Sequence, residues 1–192
     1  MIKFRLSHRI ADSFVKNEVI ACEDKDVCIY GLEQGFLMVV NVVTTILIGL
    51  VFRMVWQSIA FMMAYIPLRI YAGGYHTKTQ LRCYLFSILL IVSALLGIKL
   101  IIWTSTICFI VLFVIGTSIF FLVPVEDRNK PLDKIEVKVY RRRARIVLGF
   151  EVIILLSMII LGWCQVSICI LVALIALNCM LVFGKIRNKI SK

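Results

Sequence analysis

A histidine and a cysteine stand seven residues apart where a polar segment leads into an apolar stretch. His76 follows the glycine pair Gly73-Gly74, and Cys83 begins the apolar stretch. A thiolate attacks a carbonyl carbon, and an imidazole within about 3 Å takes the thiol proton and later donates it to a leaving amine. These residue types indicate catalysis by a cysteine nucleophile, with Cys83 as the nucleophile and His76 as the base and acid.

Direct contact between these two side chains requires a bend in the backbone. On one continuous helix, residues seven apart share a face but stand about 10 Å apart along the axis. Gly73 and Gly74 supply the freedom to fold His76 back. Thr79 is a candidate N-cap for a helix that begins at Gln80.

The predicted helix places Cys83 in its first turn, where the helix dipole favours an anion. Lys78 and Arg82 add positive charge beside the same thiol, so the sequence predicts a nucleophilic thiolate. The opposing interpretation is an incidental pair, because histidines and cysteines near membrane boundaries commonly have no joint role. The glycine pair, the local basicity and the polarity of the segment favour catalysis.

The composition of the whole chain excludes an ordinary soluble domain. Of the 192 residues, 61% are hydrophobic, whereas soluble domains contain about 45–50% apolar residues. Several runs reach the roughly 17–25 apolar residues needed to cross a bilayer, so we predict an all-α, polytopic membrane protein with one domain over residues 1–192. Six segments are expected: Tyr30 or Phe36 to Phe52, Met54–Leu68, Cys83–Ile98, Leu100–Val123, Ile146–Trp163 and Val166–Phe183.

The second of these segments is unusual. Met54–Leu68 follows directly after the interruption at Arg53, is short for a span, and contains Gln57 and Pro67. These features predict a tilted, kinked or re-entrant segment.

Residues 1–29 are predicted to form an amphipathic helix in the headgroup layer of the membrane. Ile2, Leu6, Ile10 and Phe14 recur every four residues, and charged side chains occupy the other faces. Such a helix lies on a membrane rather than across it, and packing against a soluble partner is the alternative. The stretch lacks the continuous apolar region of a signal peptide.

The net charge of +11 reports the orientation of the chain. With six crossings, one side of the membrane holds the amino terminus, the 69–82 loop, the basic 124–145 loop and the basic 185–192 tail. Gly184 is expected to end the last helix, directly before this tail. These segments contain 20 of the 22 basic residues. Lys and Arg favour cytoplasmic loops, so both termini and the His–Cys loop are predicted to be cytoplasmic. Without a crossing by Met54–Leu68, the 69–82 loop would face outward.

Arg141, Arg142, Arg143 and Arg145 lie directly before the fifth apolar run. Anchoring at anionic lipid headgroups is one interpretation, and binding of an acidic substrate segment is the other. Nucleic-acid binding is excluded because the cations follow membrane boundaries and no recognition motif is present. Glu151, an acid inside a predicted span, is expected to snorkel or to pair with Arg143 or Arg145, and lining a substrate groove is the alternative.

The cysteine pattern predicts neither a disulfide framework nor a metal centre. The number is odd, seven, and most cysteines lie in or beside apolar runs, where they behave as small hydrophobic residues. Cys22 and Cys28 are six residues apart, and two histidines in the chain give a poor zinc pattern. We expect no metal and no cofactor.

Three stretches resemble one known family. Arg69-Ile-Tyr-Ala-Gly-Gly-Tyr-His76 followed by Cys83 resembles the signature of the AgrB family, the accessory gene regulator protein B of Gram-positive quorum sensing. Tyr30–Glu33 and Val123–Glu126, with Asn129–Leu132 after it, add supporting similarity. The resemblance covers nearly the whole chain.

The resemblance implies a cysteine endopeptidase in the cell membrane of a Gram-positive bacterium. Members of the family process an AgrD-like propeptide on the cytoplasmic side: the cysteine attacks a peptide carbonyl, the carboxy-terminal part leaves, and the acyl group stays on the enzyme as a thioester. An internal cysteine or serine of the peptide then closes a thiolactone or lactone. By this resemblance Cys83 is the nucleophile and His76 the base and acid, Arg69 orients the loop or meets a substrate carboxylate, and Gly74 shapes the backbone.

Further residues are candidates for supporting roles. Glu33 and Gln34 are candidates for a third catalytic residue, although pairing with Arg69 is the favoured role of Glu33. The candidate substrate contacts are Lys78, Arg82, Arg141, Arg142 and Arg143.

The rival functions are a small transporter or exporter of a peptide or anion, with the 69–82 loop as a gate, and a noncatalytic membrane scaffold. A transporter should carry polar residues in several spans, whereas here they concentrate in one loop. A homodimer is compatible with the sequence, but no interface motif specifies one.

Overall fold

The computed structural model describes residues 5–74, 80–126 and 133–190. These ranges contain seven α-helices and a short 3-10 helix, Cys22–Asp24. The helices are α1 (Arg5–Lys16), α2 (Lys25–Phe52), α3 (Val55–Ala72), α4 (Gln80–Leu100), α5 (Ser105–Leu122), α6 (Lys134–Ile160) and α7 (Cys164–Ile190). Within the described ranges the only β-type pairing is one isolated bridge, so the all-α prediction is confirmed.

Within the described ranges, four helices are long and apolar enough to cross a membrane. They are α2 with the 3-10 turn before it, α4, α5 and α7, judged by length and composition. The chain is therefore consistent with a multi-pass membrane protein. The second and fifth predicted segments are also continuous helices, α3 and α6, but they fall outside this set of four.

A tight turn at Arg53 separates α2 from α3. Arg53 has a φ of 56°, and the N–H of Met54 bonds to the Gly49 carbonyl at 2.7 Å. A Cβ on Gly49 would stand 2.5 Å from the Oγ of Ser58, so the glycine lets α3 begin close to the end of α2. Ser58 is buried and donates to the Met54 carbonyl at 2.9 Å.

The fourth predicted segment begins later than expected. Helix α5 starts at Ser105 rather than at Leu100, because the side chain of Thr104 accepts a hydrogen bond from the N–H of Ile107 as an N-cap. The preceding link is held by the indole of Trp103, which donates to the Gly97 carbonyl at 3.1 Å.

Part of the predicted 124–145 loop is helical. Helix α6 begins at Lys134 because Asp133 and Glu136 form a capping box, in which the Glu136 carboxylate accepts the Asp133 N–H at 3.0 Å. The basic residues of this stretch therefore lie on a helix and occupy defined faces. At the other end, Gly162 adopts a φ of 77° and terminates α6.

The prediction that Gly184 ends the last helix is wrong. Helix α7 continues to Ile190, and Gly184 lies buried within it. Arg187 and Lys189 occupy its last turn, where their charges complement the negative end of the helix dipole. The predicted 185–192 tail is thus helical as far as Ile190.

The described residues form two compact units. The first comprises those up to residue 45 together with 80–88, and the second comprises 46–74, 89–126 and 133–190. In the first unit, Lys25 at the start of α2 pairs with Asp12 of α1 at 2.6 Å, and the hydroxyls of Thr44 and Tyr84 hydrogen-bond at 2.8 Å.

Helix α7 lies at the centre of the second unit. It packs against α3, α5 and α6, and α6 also packs against α3 and α5. Its core residues are fully or nearly fully buried and include Leu171, Leu174, Leu177 and Leu181. This bundle supports the carboxy-terminal end of α3, where the glycine pair lies.

Candidate functional site

The glycine pair ends helix α3 with two left-handed residues. Gly73 has a φ of 70° and Gly74 a φ of 117°. The N–H of Gly73 still bonds to the Arg69 carbonyl at 3.2 Å, so the chain leaves the helix directly after this bond. Left-handed backbone is accessible to glycine at little cost and disfavours other residues.

A backbone bridge ties the glycine pair to the segment that follows α5. The N–H of Val125 bonds to the Ala72 carbonyl at 2.9 Å, and the N–H of Gly74 bonds to the Val125 carbonyl at 3.1 Å. Gly73 and Val125 thereby form an isolated parallel bridge. A Cβ on Gly73 would overlap the Val125 carbonyl oxygen, so the close approach requires a glycine.

Arg69 of α3 contacts the same turn, formed by Gly73 and Gly74 and called the glycine turn below. Its Nη1 donates to the Gly73 carbonyl, and a Cβ on Gly74 would collide with this Nη1 and stand 3.2 Å from the Met180 carbonyl oxygen of α7. The side chain thus lies where an orienting role requires it. The role itself, and the alternative of binding a substrate carboxylate, remain predictions.

Two aromatic rings and a guanidinium hold α6 to the end of α3. The rings of Tyr71 and Tyr140 have centroids 6.3 Å apart, and the Cζ of Arg143 stands 5.7 Å from the Tyr71 ring centroid. Arg143, predicted as a substrate contact, therefore lies against α3 two residues before the glycine pair.

Cys83 lies in the first turn of α4. Helix α4 begins at Gln80, which confirms the predicted helix start, and Cys83 is half-buried with a carbonyl that accepts the Ser87 hydroxyl at 3.1 Å. The neighbouring Arg82 is exposed. His76, Lys78 and the predicted cap Thr79 lie outside the described residues.

The candidate supporting residues are divided between the two units. Glu33 and Gln34 lie on α2 in the first unit, which also contains Cys83, and Glu33 is half-buried whereas Gln34 is exposed. Arg69 and Gly74 lie in the second unit. The pairing of Glu33 with Arg69 stays a prediction.

The basic face of α6 contains an open cleft of about 530 Å³. The residues that line it are Lys138, Arg141, Arg142, Arg145 and Ile146. Arg145 donates from Nε and Nη2 to the Phe120 carbonyl at 3.3 and 3.2 Å, and its Cζ stands 3.9 Å from the Phe120 ring centroid.

The prediction that Glu151 snorkels or pairs with an arginine is wrong for the part of the chain that is described. Glu151 is 7% exposed, and neither carboxylate oxygen has a hydrogen-bond partner there. Glu151 lies on the face that also buries Leu148 and Leu155. Arg145, six residues earlier, is rotated by about 120° around the helix, and it bonds to Phe120 instead.

The sequence contained only a weak signal for the contact made by Val125. The Val123–Glu126 stretch stood out through its family resemblance, without any indication that it pairs with the glycine turn.

Among the described residues, no group of three or more histidine, cysteine or acidic side chains could hold a metal ion.

The model of the family "Accessory gene regulator B" matches residues 7–184, from α1 to α7. The chain belongs to the AgrB family. This match includes the glycine turn, Cys83 and the Val125 bridge within a single stretch of AgrB similarity.

Two curated relatives have AgrB-like descriptions. An AgrB-like protein of Clostridium perfringens (strain SM101 / Type A) is 28% identical over 157 residues, which are 76% of this chain and 73% of the relative. AgrB-like protein 2 of Clostridium perfringens (strain 13 / Type A) is 26% identical over 121 residues, which are 57% of this chain and 55% of that protein. No solved structure matches.

Proposed function

We propose that this AgrB family member is a membrane cysteine endopeptidase that cleaves an AgrD-like propeptide and forms a cyclic signal peptide for quorum sensing. The observation that carries the proposal is that the AgrB family match includes the whole signature, from Arg69 through His76 to Cys83. The glycine turn is held by Arg69 and Val125, and Cys83 stands in the first turn of α4. In sequence, His76 lies between Gly74 and Cys83.

The proposed reaction begins with attack of the Cys83 thiolate on a peptide carbonyl of the propeptide. His76 accepts the thiol proton and returns it to the leaving amine, so that the peptide C–N bond breaks and a Cys83 thioester forms. Backbone N–H groups in the first turn of α4 have no partners within the helix. They are suitable donors for the oxyanion of the tetrahedral intermediate.

Ring closure follows when an internal thiol or hydroxyl of the bound peptide attacks the thioester carbonyl. His76, neutral again after the first step, takes the proton of the attacking thiol or hydroxyl. The new C–S or C–O bond forms as the bond to Cys83 breaks, and Cys83 leaves as a thiolate. A thioester and a thiolactone are close in energy, so cyclisation competes with hydrolysis when water is kept from the site. Apolar side chains at a membrane edge provide that exclusion.

The supporting roles follow from residue type and position. Arg69 orients the glycine turn, for which its bond to the Gly73 carbonyl provides the contact. Gly74 allows the close approach of Met180 and Arg69. Glu33 and Gln34 are candidate third residues, and Lys78 and Arg82 are candidate contacts for an acidic substrate segment.

The proposed topology is a single domain with six crossings, in which α3 and α6 cross together with the four long apolar helices. This topology brings 20 of the 22 basic residues to one side, as expected for the cytoplasmic side of a bacterial cell membrane. Both termini and the catalytic loop are then cytoplasmic.

The test is coexpression with the AgrD-like propeptide. Cys83→Ala and His76→Ala are each expected to stop cleavage of the precursor while the protein still accumulates in the membrane. Cys22→Ala, which changes an exposed cysteine, is the matched control and should cleave normally. Normal cleavage by Cys83→Ala would disprove the proposed mechanism.

A second candidate function, peptide export, is favoured by the buried Glu151 carboxylate. Acids inside membrane segments are costly and often functional, and this one has no hydrogen-bond partner among the described residues. In the same coexpression, an exporter would leave the precursor uncleaved, and Glu151→Gln would reduce the amount of precursor peptide found outside the cells.

A further inference from the structure

Four cations form a stripe along one face of α6. Lys138, Arg141, Arg142 and Arg145 follow the i, i+3, i+4, i+7 spacing that brings side chains onto one face of a helix. Together with Ile146 they line the cleft of about 530 Å³. Lys138, Arg141 and Arg142 are exposed, so the positive charge is open to a ligand.

Arg145 is fixed at one edge of this cleft. Two of its N–H groups bond to the Phe120 carbonyl in the last turn of α5, and its guanidinium stacks on the Phe120 ring. A guanidinium has five N–H donors, so donors remain for an anion. Arginine binds phosphate oxygens in a bidentate manner, more specifically than lysine does.

An apolar track continues from the cleft along the same side of α6. Ile146, Phe150 and Ile153 are 49%, 64% and 61% exposed. Between them, a Cβ on Gly149 would have no atom within 4 Å, so the surface is open at that point. Arg142 and Ile153 are separated by about 16 Å along the helix, which is about half the thickness of a hydrocarbon core.

We propose that this surface is a binding site for an anionic phospholipid. Arg141 and Arg142 bind the phosphate of the headgroup, and one acyl chain lies on the track from Ile146 over Gly149 to Ile153. The direct succession of cations and exposed apolar surface matches a headgroup followed by a tail. An acidic peptide segment would contact the cations alone, whereas a phospholipid contacts both the cations and the apolar track. The proposal is independent of the catalytic function.

The experiment measures the phosphatidylglycerol that remains on the protein after purification in a mild detergent. Native mass spectrometry and lipid extraction give the number of lipids per protein. The double variant Arg141→Gln/Arg142→Gln is expected to bind phosphatidylglycerol about tenfold or more weakly and therefore to retain less of it. The reason is that each cation at an anionic membrane surface contributes to binding. Lys185→Gln/Lys189→Gln removes the same charge from exposed positions on α7 and should retain the lipid.

A second variant separates the tail from the headgroup. Gly149→Trp keeps every charge and enters open space, so the protein should fold and still lose retained phosphatidylglycerol. Equal retention by wild type, both charge variants and Gly149→Trp would overturn the proposal. The proposal would also be overturned, in favour of an acidic peptide, by two results together. Gly149→Trp would retain as much lipid as wild type, and a polyglutamate peptide would displace the lipid.

Discussion

At the residue scale, the glycine turn is a place where any added side chain would meet neighbouring atoms closely. Gly73 and Gly74 both have left-handed backbone, and each faces a group that leaves no room for a Cβ. For Gly73 this group is the Val125 carbonyl, and for Gly74 it is the guanidinium of Arg69. At Gly73 both the backbone conformation and the contact with a backbone carbonyl demand glycine. At Gly74 the conformation favours glycine, and a Cβ would displace the flexible end of the Arg69 side chain.

Replacement of Gly73 by alanine is expected to reduce cleavage of the precursor strongly. The backbone of Gly73, with φ 70° and ψ −142°, lies near a region that essentially only glycine occupies and costs an alanine about 1–3 kcal/mol. The methyl group would also push the Val125 carbonyl away and weaken the bridge. The measurement is the fraction of propeptide cleaved in coexpression, divided by the amount of enzyme in the membrane.

The matched control for this substitution is Gly116→Ala. Gly116 lies within α5 and has no atom within 4 Å of a Cβ, and alanine in a helix interior is about 0.5–1 kcal/mol more favourable than glycine. Gly116→Ala should therefore cleave at least as well as wild type. Equal activity of Gly73→Ala and Gly116→Ala would contradict a functional need for the turn.

At the element scale, two other segments converge on the end of α3. Val125 approaches from the segment after α5, and Tyr140 and Arg143 approach from α6. The ring of Tyr71, two residues before Gly73, contacts both α6 residues. The position of the turn thus depends on α6 as well as on α3.

Arg143→Gln removes the cation–π contact with Tyr71, which helps to position the glycine turn. Because an exposed contact of this kind contributes about 0.5–1 kcal/mol, the maximal cleavage rate is expected to fall by up to about fivefold, without weaker substrate binding. Arg143→Lys keeps the cation and should recover much of the loss. Lys185→Gln, at an exposed position on α7, is the control for lost charge. Purified enzyme in nanodiscs and a synthetic propeptide give kcat and KM separately, and an increase in KM alone would instead indicate a substrate contact.

Local patterns in the sequence predicted the helices well and their long-range contacts poorly. The helix start at Gln80 followed from residue types that act within one turn, and the apolar runs of α2, α4, α5 and α7 followed from length. The Gly73–Val125 bridge joins backbones some fifty residues apart through N–H and carbonyl groups. Every residue type except proline carries both groups, so no pattern of side chains predicts such a bridge.

Burial explains the remaining differences between sequence and structure. Gly184 resembled a helix end because it follows an apolar run, yet it is buried within α7. Glu151 was expected to find an arginine, but it shares a helix face with Leu148 and Leu155. In both cases the neighbouring helices decided the outcome, and a single sequence contains no record of which helices pack together.

At the scale of the whole molecule, the crossings of α3 and α6 decide the topology. The crossing of α3 sets the side of the membrane on which the 69–82 and 124–145 segments lie, and the crossing of α6 then sets the side of the start of α7. In the part of the chain that the structure describes, four helices are long and apolar enough to cross. If only these four cross, the 69–82 and 124–145 segments face outward, whereas six crossings keep both segments inside with the termini. The cation distribution favours six, because 20 of the 22 basic residues then share the cytoplasmic side.

Two labelling sites distinguish these topologies in intact cells. Cys164 is exposed at the start of α7, and Lys138→Cys places a thiol on the exposed basic face of α6. With six crossings, a membrane-impermeant maleimide should label Cys164 from outside and label position 138 only after permeabilisation. With four crossings, both sites would react from outside, and loss of the α3 crossing alone would hide Cys164. Mass spectrometry of the labelled peptides assigns each thiol, and Cys22, which is exposed on the amino-terminal side of α2, serves as the cytoplasmic reference.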